Sequence, residues 1–334
     1  MGRHLCFTVA DRSYFALLKK EIHAVAIKAG FSEMRTGEID IVVAEIVSNL
    51  VKHGNGGKLL VKLVKEQNID GIELISIDDG EGIADVTRMM TDGASTTNTL
   101  GHGLGAIKRL SNVFQVYSQK GWGTILLSRV FKEELPYQKK INEIRSIVVA
   151  KPGEEKCGDA FYCRIGSHAI RLFLGDGLGH GPEAAVAVNT AVQSVKFSKE
   201  DSATEIIREL HRNVRKTRGL VGTVALYRKD EKCWHICGVG NICTRILNGI
   251  EVKNSLSYNG IIGHNIPNTM KDQEIDAENA QVLILCSDGI KTKWDMTKYP
   301  GVLKYDLSVL GAVIFKDYAR HTDDMSVVVV RLNL

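Results

Sequence analysis

Residues 38–53 constrain the chain most: Ile39 to Ala44 is apolar enough to predict one helix reaching from about Glu38 to His53, whose other positions are Ile, Val and Leu. Glu45, Asn49 and His53 stand at i, i+4 and i+8, so they share one face, with Lys52 beside them. A carboxylate, an amide and two potential cations make either a solvated stripe or the wall of a polar site. Alone, the stripe would be the better reading. Two glycine-rich turns downstream shift the balance. They are Asp78-Asp-Gly-Glu-Gly82, which ends an apolar strand, and Gly101-His-Gly-Leu-Gly105, which opens a second helix.

A chain of 334 residues exceeds what one core usually holds and predicts two domains. Net charge is only +4 and forms no basic block, so nucleic-acid binding has no electrostatic support. No apolar run approaches the ~20 residues that span a bilayer, and Met1 to Phe7 lack the apolar core of a signal peptide. Seven cysteines without framework spacing predict free thiols in a reducing cytoplasm. Cys233, Cys237 and Cys243 with His235 match no zinc spacing and are expected to pack in strands.

In chain order, Asp11-Arg-Ser13 can cap a helix with Leu18, Ile22, Val25 and Ala29 inward and Gly30 as its stop. Residues 58–65 and 71–77 read as strands turning at 68–71, and 113–119 and 124–131 as a second pair turning at 120–123. Residues 84–99, rich in Thr, Ser and Asp, read as a loop leading into a helix over 104–112. All five prolines lie at or beyond Pro136, and the charged stretch 132–143 is the expected connector. This divides the chain into domains 1–132 and 144–334 with a linker at 133–143. Beyond it, strands are expected at 144–150, 170–174, 223–226, 234–237, 282–286 and 325–332, a hairpin at Asn248-Gly249, and helices at 183–197, 203–217 and 307–318.

The spaced Glu45…Asn49…His53, Asp78–Gly82 and Gly101–Gly105, with Gly123-Thr124 on a following strand, resemble the boxes of the GHKL ATPase/kinase fold. The similarity is to its RsbT-like and anti-sigma serine/threonine kinases and covers roughly residues 5–132. It implies an α/β sandwich that binds ATP or ADP with Mg²⁺. Asn49 would ligate Mg²⁺, Glu45 would orient or deprotonate the attacking hydroxyl, and Asp78 would accept from the adenine amine. Gly80, Gly82, Ile83 and Thr124 would contact nucleotide, and Gly101, Gly103, Leu104 and Gly105 would hold phosphate at a helix start. Lys52 and His53 would lie beside the phosphates, and residues 84–99 would form a lid.

Four aspartate-bearing turns mark the second half: Cys157-Gly-Asp159, Gly175-Asp-Gly-Leu-Gly-His-Gly181, Cys286-Ser-Asp-Gly289 and His321-Thr-Asp-Asp324. One Asp-Gly is an ordinary turn. Four of them beside apolar strands can converge at one sandwich edge, where carboxylates need cations. Together with Gly222-Thr223, Gly238-Val-Gly-Asn241 and Gly260-Ile-Ile-Gly263, they resemble the SpoIIE/RsbX-like branch of PPM-type serine phosphatases, an αββα sandwich, over roughly 144–334. The resemblance implies two divalent ions, Mn²⁺ or Mg²⁺. Asp176 would bridge both and Gly177 would lend its carbonyl, Asp288 and Asp323 would complete the second, and Asp159 would hold a metal-bound water or ligate directly; Asp324 ranks below Asp323. Asp176 and Asp288 carry the catalysis in this scheme.

The expected fold class is therefore α/β of the α+β kind, a GHKL sandwich followed by a PPM sandwich. The expected function is a bifunctional kinase and phosphatase acting on a STAS-domain partner in bacterial partner switching, without nucleic acid or membrane, and with a homodimer allowed. The alternative is a first domain that only binds nucleotide and a partner, leaving the phosphatase as the one enzyme. Glu45 favours catalysis, because mere ATP binding has no use for it.

Overall fold

A computed structural model describes residues 2–10, 14–86, 103–136, 142–249, 251–277 and 281–332. These fall into two compact units, Gly2–Gln138 with Gly301–Val313, and Lys139–Pro300 with Ile314–Leu334. The contiguous domains expected from the sequence differ in one segment: 301–313 pack with the first unit.

The first unit holds β1 (Leu5–Val9), α1 (Phe15–Lys28), α2 (Glu33–His53), β2 (Gly57–Glu66), β3 (Ile69–Ile77), α3 (Gly103–Leu110), β4 (Val113–Gln119) and β5 (Gly123–Phe131). Its antiparallel sheet runs β1-β2-β3-β5-β4. Helix α2 starts five residues earlier than its apolar pattern predicts, because Ser32 accepts from the Arg35 N–H and caps it. No side chain caps α1, which begins after Tyr14, and the expected cap at Asp11–Ser13 lies outside the described residues. Its buried stripe is Leu18, Ile22 and Ala26, with Val25 only partly buried. Strand β1 was not foreseen. The first hairpin turns at Gln67-Asn68, both at positive φ (49° and 67°), rather than at 68–71. That is the two-residue turn whose twist suits paired strands.

One face of this sheet packs Leu59, Val61, Ile72, Leu74, Leu126 and Val130 against Ile39, Val43, Ile46 and Leu50 of α2, with Leu18 and Ile22 of α1. The opposite face carries a row of charges. Lys62, Glu73 and Arg129 are register partners across β2, β3 and β5. This row is buried, because Asp306 and Ser308 of the 301–313 segment close over it. Arg129 donates to Asp306 at 2.8 Å through both terminal nitrogens, and Ser308 Oγ donates to Glu73 at 2.8 Å.

The second unit stacks two five-stranded antiparallel sheets. The first runs β13-β10-β9-β8-β7, built from β7 (Asp159–Ile165), β8 (Ala169–Gly177), β9 (Leu220–Arg228), β10 (Cys233–Val239) and β13 (Gln273–Asp276). The second runs β12-β11-β14-β15-β6, from β6 (Asn142–Val149), β11 (Cys243–Asn248), β12 (Glu251–Ser255), β14 (Val282–Cys286) and β15 (Met325–Leu332). Leu172 and Leu174 of β8 meet Leu283, Leu285, Val328 and Val330 of the other sheet in one core. Helices α4 (Pro182–Phe197) and α5 (Ala203–Asn213) cover the far face of the first sheet through Val188, Ala191, Val195, Ile207 and Leu210. Helix α6 (Leu307–Tyr318) lies where its pattern places it and is buried from Leu307 to Phe315. Cys233 and Cys237 are buried in β10, which is the packing role expected of them.

β7 and β13 escaped the sequence pattern, and α5 ends four residues before Thr217. Gly249 (φ +61°) turns the β11–β12 hairpin one position later than expected, because Asn248 already pairs with Glu251. No helix of the described residues is long and apolar enough to cross a membrane.

Candidate functional site

In the first unit, α2 and the start of α3 meet at glycine. A Cβ placed on Gly103 would lie 2.7 Å from Glu45 Oε2 and 3.7 Å from Asn49 Oδ1. The carboxylate and the amide therefore sit against the N-terminal turn of α3, whose amides have no partner within the helix. Gly105 is buried at that turn, and Leu104 packs against the core. Gly101 lies outside the described residues, as does all of the expected lid beyond Val86.

The Asp78–Gly82 turn is held from both sides. Asp78 Oδ1 accepts from Gly80 N at 2.9 Å and from Thr124 N at 3.1 Å, which fixes the carboxylate on the turn. Gly80 lies so close to the His53 carbonyl that a Cβ would come within 2.2 Å, and a Cβ on Gly123 would reach the Asp78 carbonyl at 2.1 Å. Gly82 (φ +73°) touches the Gln119 carbonyl in the same way. These turns therefore need glycine for close approach as well as for backbone freedom. Ser118, which the sequence does not single out, ties the parts together: its Oγ accepts from Ile83 N at 2.7 Å and lies 2.9 Å from Thr124 Oγ1. Lys52 and His53 are exposed in the last turn of α2, where it is the His53 backbone, not its ring, that meets Gly80.

In the second unit, Asp159 and Asp176 are register partners on β7 and β8. Ser287 donates to Asp159 Oδ2 at 2.6 Å, while Asp159 Oδ1 is buried without a hydrogen-bond partner. Asn241 donates to Asp288 Oδ2 at 2.9 Å. Burial pushes Asp176 up to about 10, and Asp159, Asp288, Asp323 and Asp324 push it the same way. Burial likewise raises the Asp159 pKa to about 7, against the Ser287 hydrogen bond. The five carboxylates thus feel one another across one edge of the sandwich. Among the described residues, no three of them close on a common point at ligand distance. The donor set is hard oxygen, which suits Mg²⁺ or Mn²⁺, and Asp159 Oδ1 is an orphaned buried acceptor that a cation or its water would satisfy. Gly177 packs with its Cα side against the Ala184 carbonyl, 2.6 Å from where a Cβ would sit.

Asp323 and Asp324 separate clearly. Asp324 is buried, and its two oxygens accept from Lys151 N at 2.9 Å and Gly158 N at 2.7 Å. It ties the loop before Asp159 to the β15 edge. Asp323 accepts one bond, from Asp324 N at 2.9 Å, and is less buried. His180 Nδ1 pairs with Glu154 at 2.6 Å.

Residues 8–129 match the Histidine kinase-like ATPase domain family, and residues 166–299 match the Stage II sporulation protein E (SpoIIE) family. The serine/threonine-protein kinase RsbT of Bacillus subtilis (strain 168) is 33% identical over 100 residues, which are 30% of this chain and 75% of RsbT. A solved chain from work on the bacterial stressosome, described there as a modular system adapted to control secondary messenger signaling, is 30% identical with a TM-score of 0.54. That match covers 58% of this chain and 100% of the other. RsbX solved in complex with magnesium matches in fold, with 16% identity and a TM-score of 0.53, over 66% of this chain and 100% of its own. This chain belongs to the RsbT family of histidine kinase-like ATPase domains and carries a SpoIIE phosphatase domain behind it.

Proposed function

We propose that this chain phosphorylates a serine or threonine of a STAS-domain partner with ATP, and that its second unit removes such a phosphate with two divalent cations. The observation that carries the first half is Glu45 against Gly103: a carboxylate placed where phosphate would sit serves transfer, not binding. RsbT, similar over most of its length, is itself named a serine/threonine kinase.

In the first unit Asp78, oriented by Gly80 N and Thr124 N, would accept from the adenine amine. Asn49 would hold Mg²⁺, the α3 amides would take phosphate oxygens, and Glu45 would align the partner's hydroxyl. In the second unit Asp176, Gly177, Asp288 and Asp323 would hold the cations, with Asp159 as a further ligand or the holder of a metal-bound water. Bound there, two dications neutralise the carboxylates and activate a water for attack on phosphorus. Ser287 and Asn241 keep Asp159 and Asp288 oriented for that purpose. The expected setting is the cytoplasm.

Calorimetric titration with Mg-ATP tests the first site. Asn49→Ala and Asp78→Ala should each weaken binding tenfold or more, about 1.4 kcal/mol. Wild-type affinity in both variants would remove the site. For the second unit, hydrolysis of a phosphoserine protein should stop in chelator and return with Mn²⁺ or Mg²⁺.

A further inference from the structure

An edge lined by carboxylates repels the substrate assigned to it, because a phosphoserine carries nearly two negative charges. Beyond the two cations proposed for that edge, a side-chain cation can receive the phosphate oxygens, and Arg218 stands beside it. Strand β9 begins beside Asp176: the register pairs Asp176 with Val221 and Gly177 with Leu220, and Leu178 N continues it onto Gly219 O at 3.2 Å. Arg218 comes next, opposite Gly179. A Cβ on Gly179 would lie 3.2 Å from Arg218 Nη1, so the guanidinium rests on the glycine turn that follows Asp176.

The backbone that presents Arg218 is fixed. Thr217 Oγ1 accepts from Gly219 N at 3.1 Å and donates to Val214 O at 2.7 Å. Gly219 (φ +78°) leaves no room for a Cβ, which would come within 2.6 Å of the His264 ring and 2.9 Å of the Ile262 carbonyl. His264 Nε2 lies 2.8 Å from the Arg218 carbonyl, and Leu220 and Ile262 exchange backbone bonds at 2.8 and 3.0 Å. The Gly260–Gly263 turn thereby clamps the approach to Arg218. The side chain itself is free to exchange. Its partner is Glu183 in the first turn of α4, and both are well exposed (48% and 66%), so the pair contributes little. Arg212, Arg215 and Lys216 in the same stretch add positive potential. Burial lowers the His211 pKa, and Arg215, His264 and Arg212 lower it further.

We propose that Arg218 is the phosphate anchor of the second unit. At rest it pairs with Glu183 across Gly179; a phosphoserine or phosphothreonine dianion displaces Glu183 and takes the guanidinium fork on two oxygens. This rests on the phosphatase reading given above.

The test uses the full chain with Mn²⁺, p-nitrophenyl phosphate as substrate and inorganic phosphate as inhibitor. Arg218→Ala should raise both the KM and the phosphate inhibition constant about tenfold or more, the loss of a two-pronged charge-assisted contact, with kcat changed far less. Arg218→Lys should recover part of the loss. Glu183→Gln should lower both constants by freeing the guanidinium. Unchanged KM and phosphate inhibition in Arg218→Ala would overturn the assignment. So would a larger effect from Arg320→Ala, whose backbone N–H bonds the Gly289 carbonyl on the Asp288 turn. A wild-type chain that hydrolyses nothing with Mn²⁺ is a separate failure, that of the phosphatase reading, and it takes the anchor with it.

Discussion

Arg129 and Asp306, 177 residues apart, form a buried two-pronged ion pair, each guanidinium terminal nitrogen donating at 2.8 Å to a different carboxylate oxygen. Arg129 also donates to Glu73 Oε2 at 2.7 Å, and Gln115 accepts from Asp306 N at 2.8 Å. Every strong donor and acceptor of the cluster is therefore engaged, the condition under which buried charge is tolerated. The network fixes residues 301–313 in one register on the β3–β5 face.

Removing one member should be costly. Arg129→Met removes the buried cation that Glu73 and Asp306 share and should cost the first unit about 3–5 kcal/mol. Hydrogen exchange at β3 and β5 amides reads that loss directly. Protection equal to wild type would mean that the pair contributes nothing.

The same network sets an acid limit. Burial alone would raise the Glu73 pKa, but Arg129, Lys62 and His4 hold it well below the ordinary carboxylate range. A folded-state pKa below the unfolded one gives stability that is present above about pH 4.3 and is lost as pH falls toward the folded value. Denaturant titrations of wild type should show that loss. Glu73→Gln should be less stable at pH 7 and flatter through the acid range.

At the nucleotide site, Gly103→Ala places a methyl 2.7 Å from Glu45 Oε2 and must turn that carboxylate aside. ATP affinity should hold within about threefold while transfer falls tenfold or more, since positioning acts in the transition state. Glu45→Ala should match it. A variant that transfers at the wild-type rate would strip Glu45 of its role.

Asp323 and Asp324 should part in their effects. Asp324→Asn replaces an oxygen with an amide that faces a backbone N–H, costing about 1–3 kcal/mol of stability with or without metal. Asp323→Asn should leave thermal unfolding in chelator unchanged and raise the metal concentration that supports hydrolysis. Equal behaviour in both assays would contradict the division of labour.

Local signals carried much of this architecture. The Asp78–Gly82 and Gly175–Gly181 turns were legible because glycine types report close approach, and α6 because its apolar run is continuous. What stayed hidden depends on pairing across the chain. Lys62, Glu73 and Arg129 alternate with inward apolar residues and read as a solvent face. Only the fold shows that Asp306 and Ser308 cover them, which is also why a contiguous division misassigned 301–313. Ser118 and Arg218 carry no motif; each matters through the strand opposite. Strand β1 hid in a short polar-apolar stretch with no turn signal before it.

One chain that both adds and removes phosphate on one partner shows both reactions in a single assay. The direct measurement follows labelled phosphate from ATP on a candidate STAS-domain protein, with wild type and Asp288→Asn compared in Mn²⁺ and Mg²⁺. Asp288→Asn should reach a high plateau and wild type a lower one, and wild type should strip partner phosphorylated by the variant. Equal plateaus, with wild type leaving that phosphate in place, would mean the two units act on different proteins.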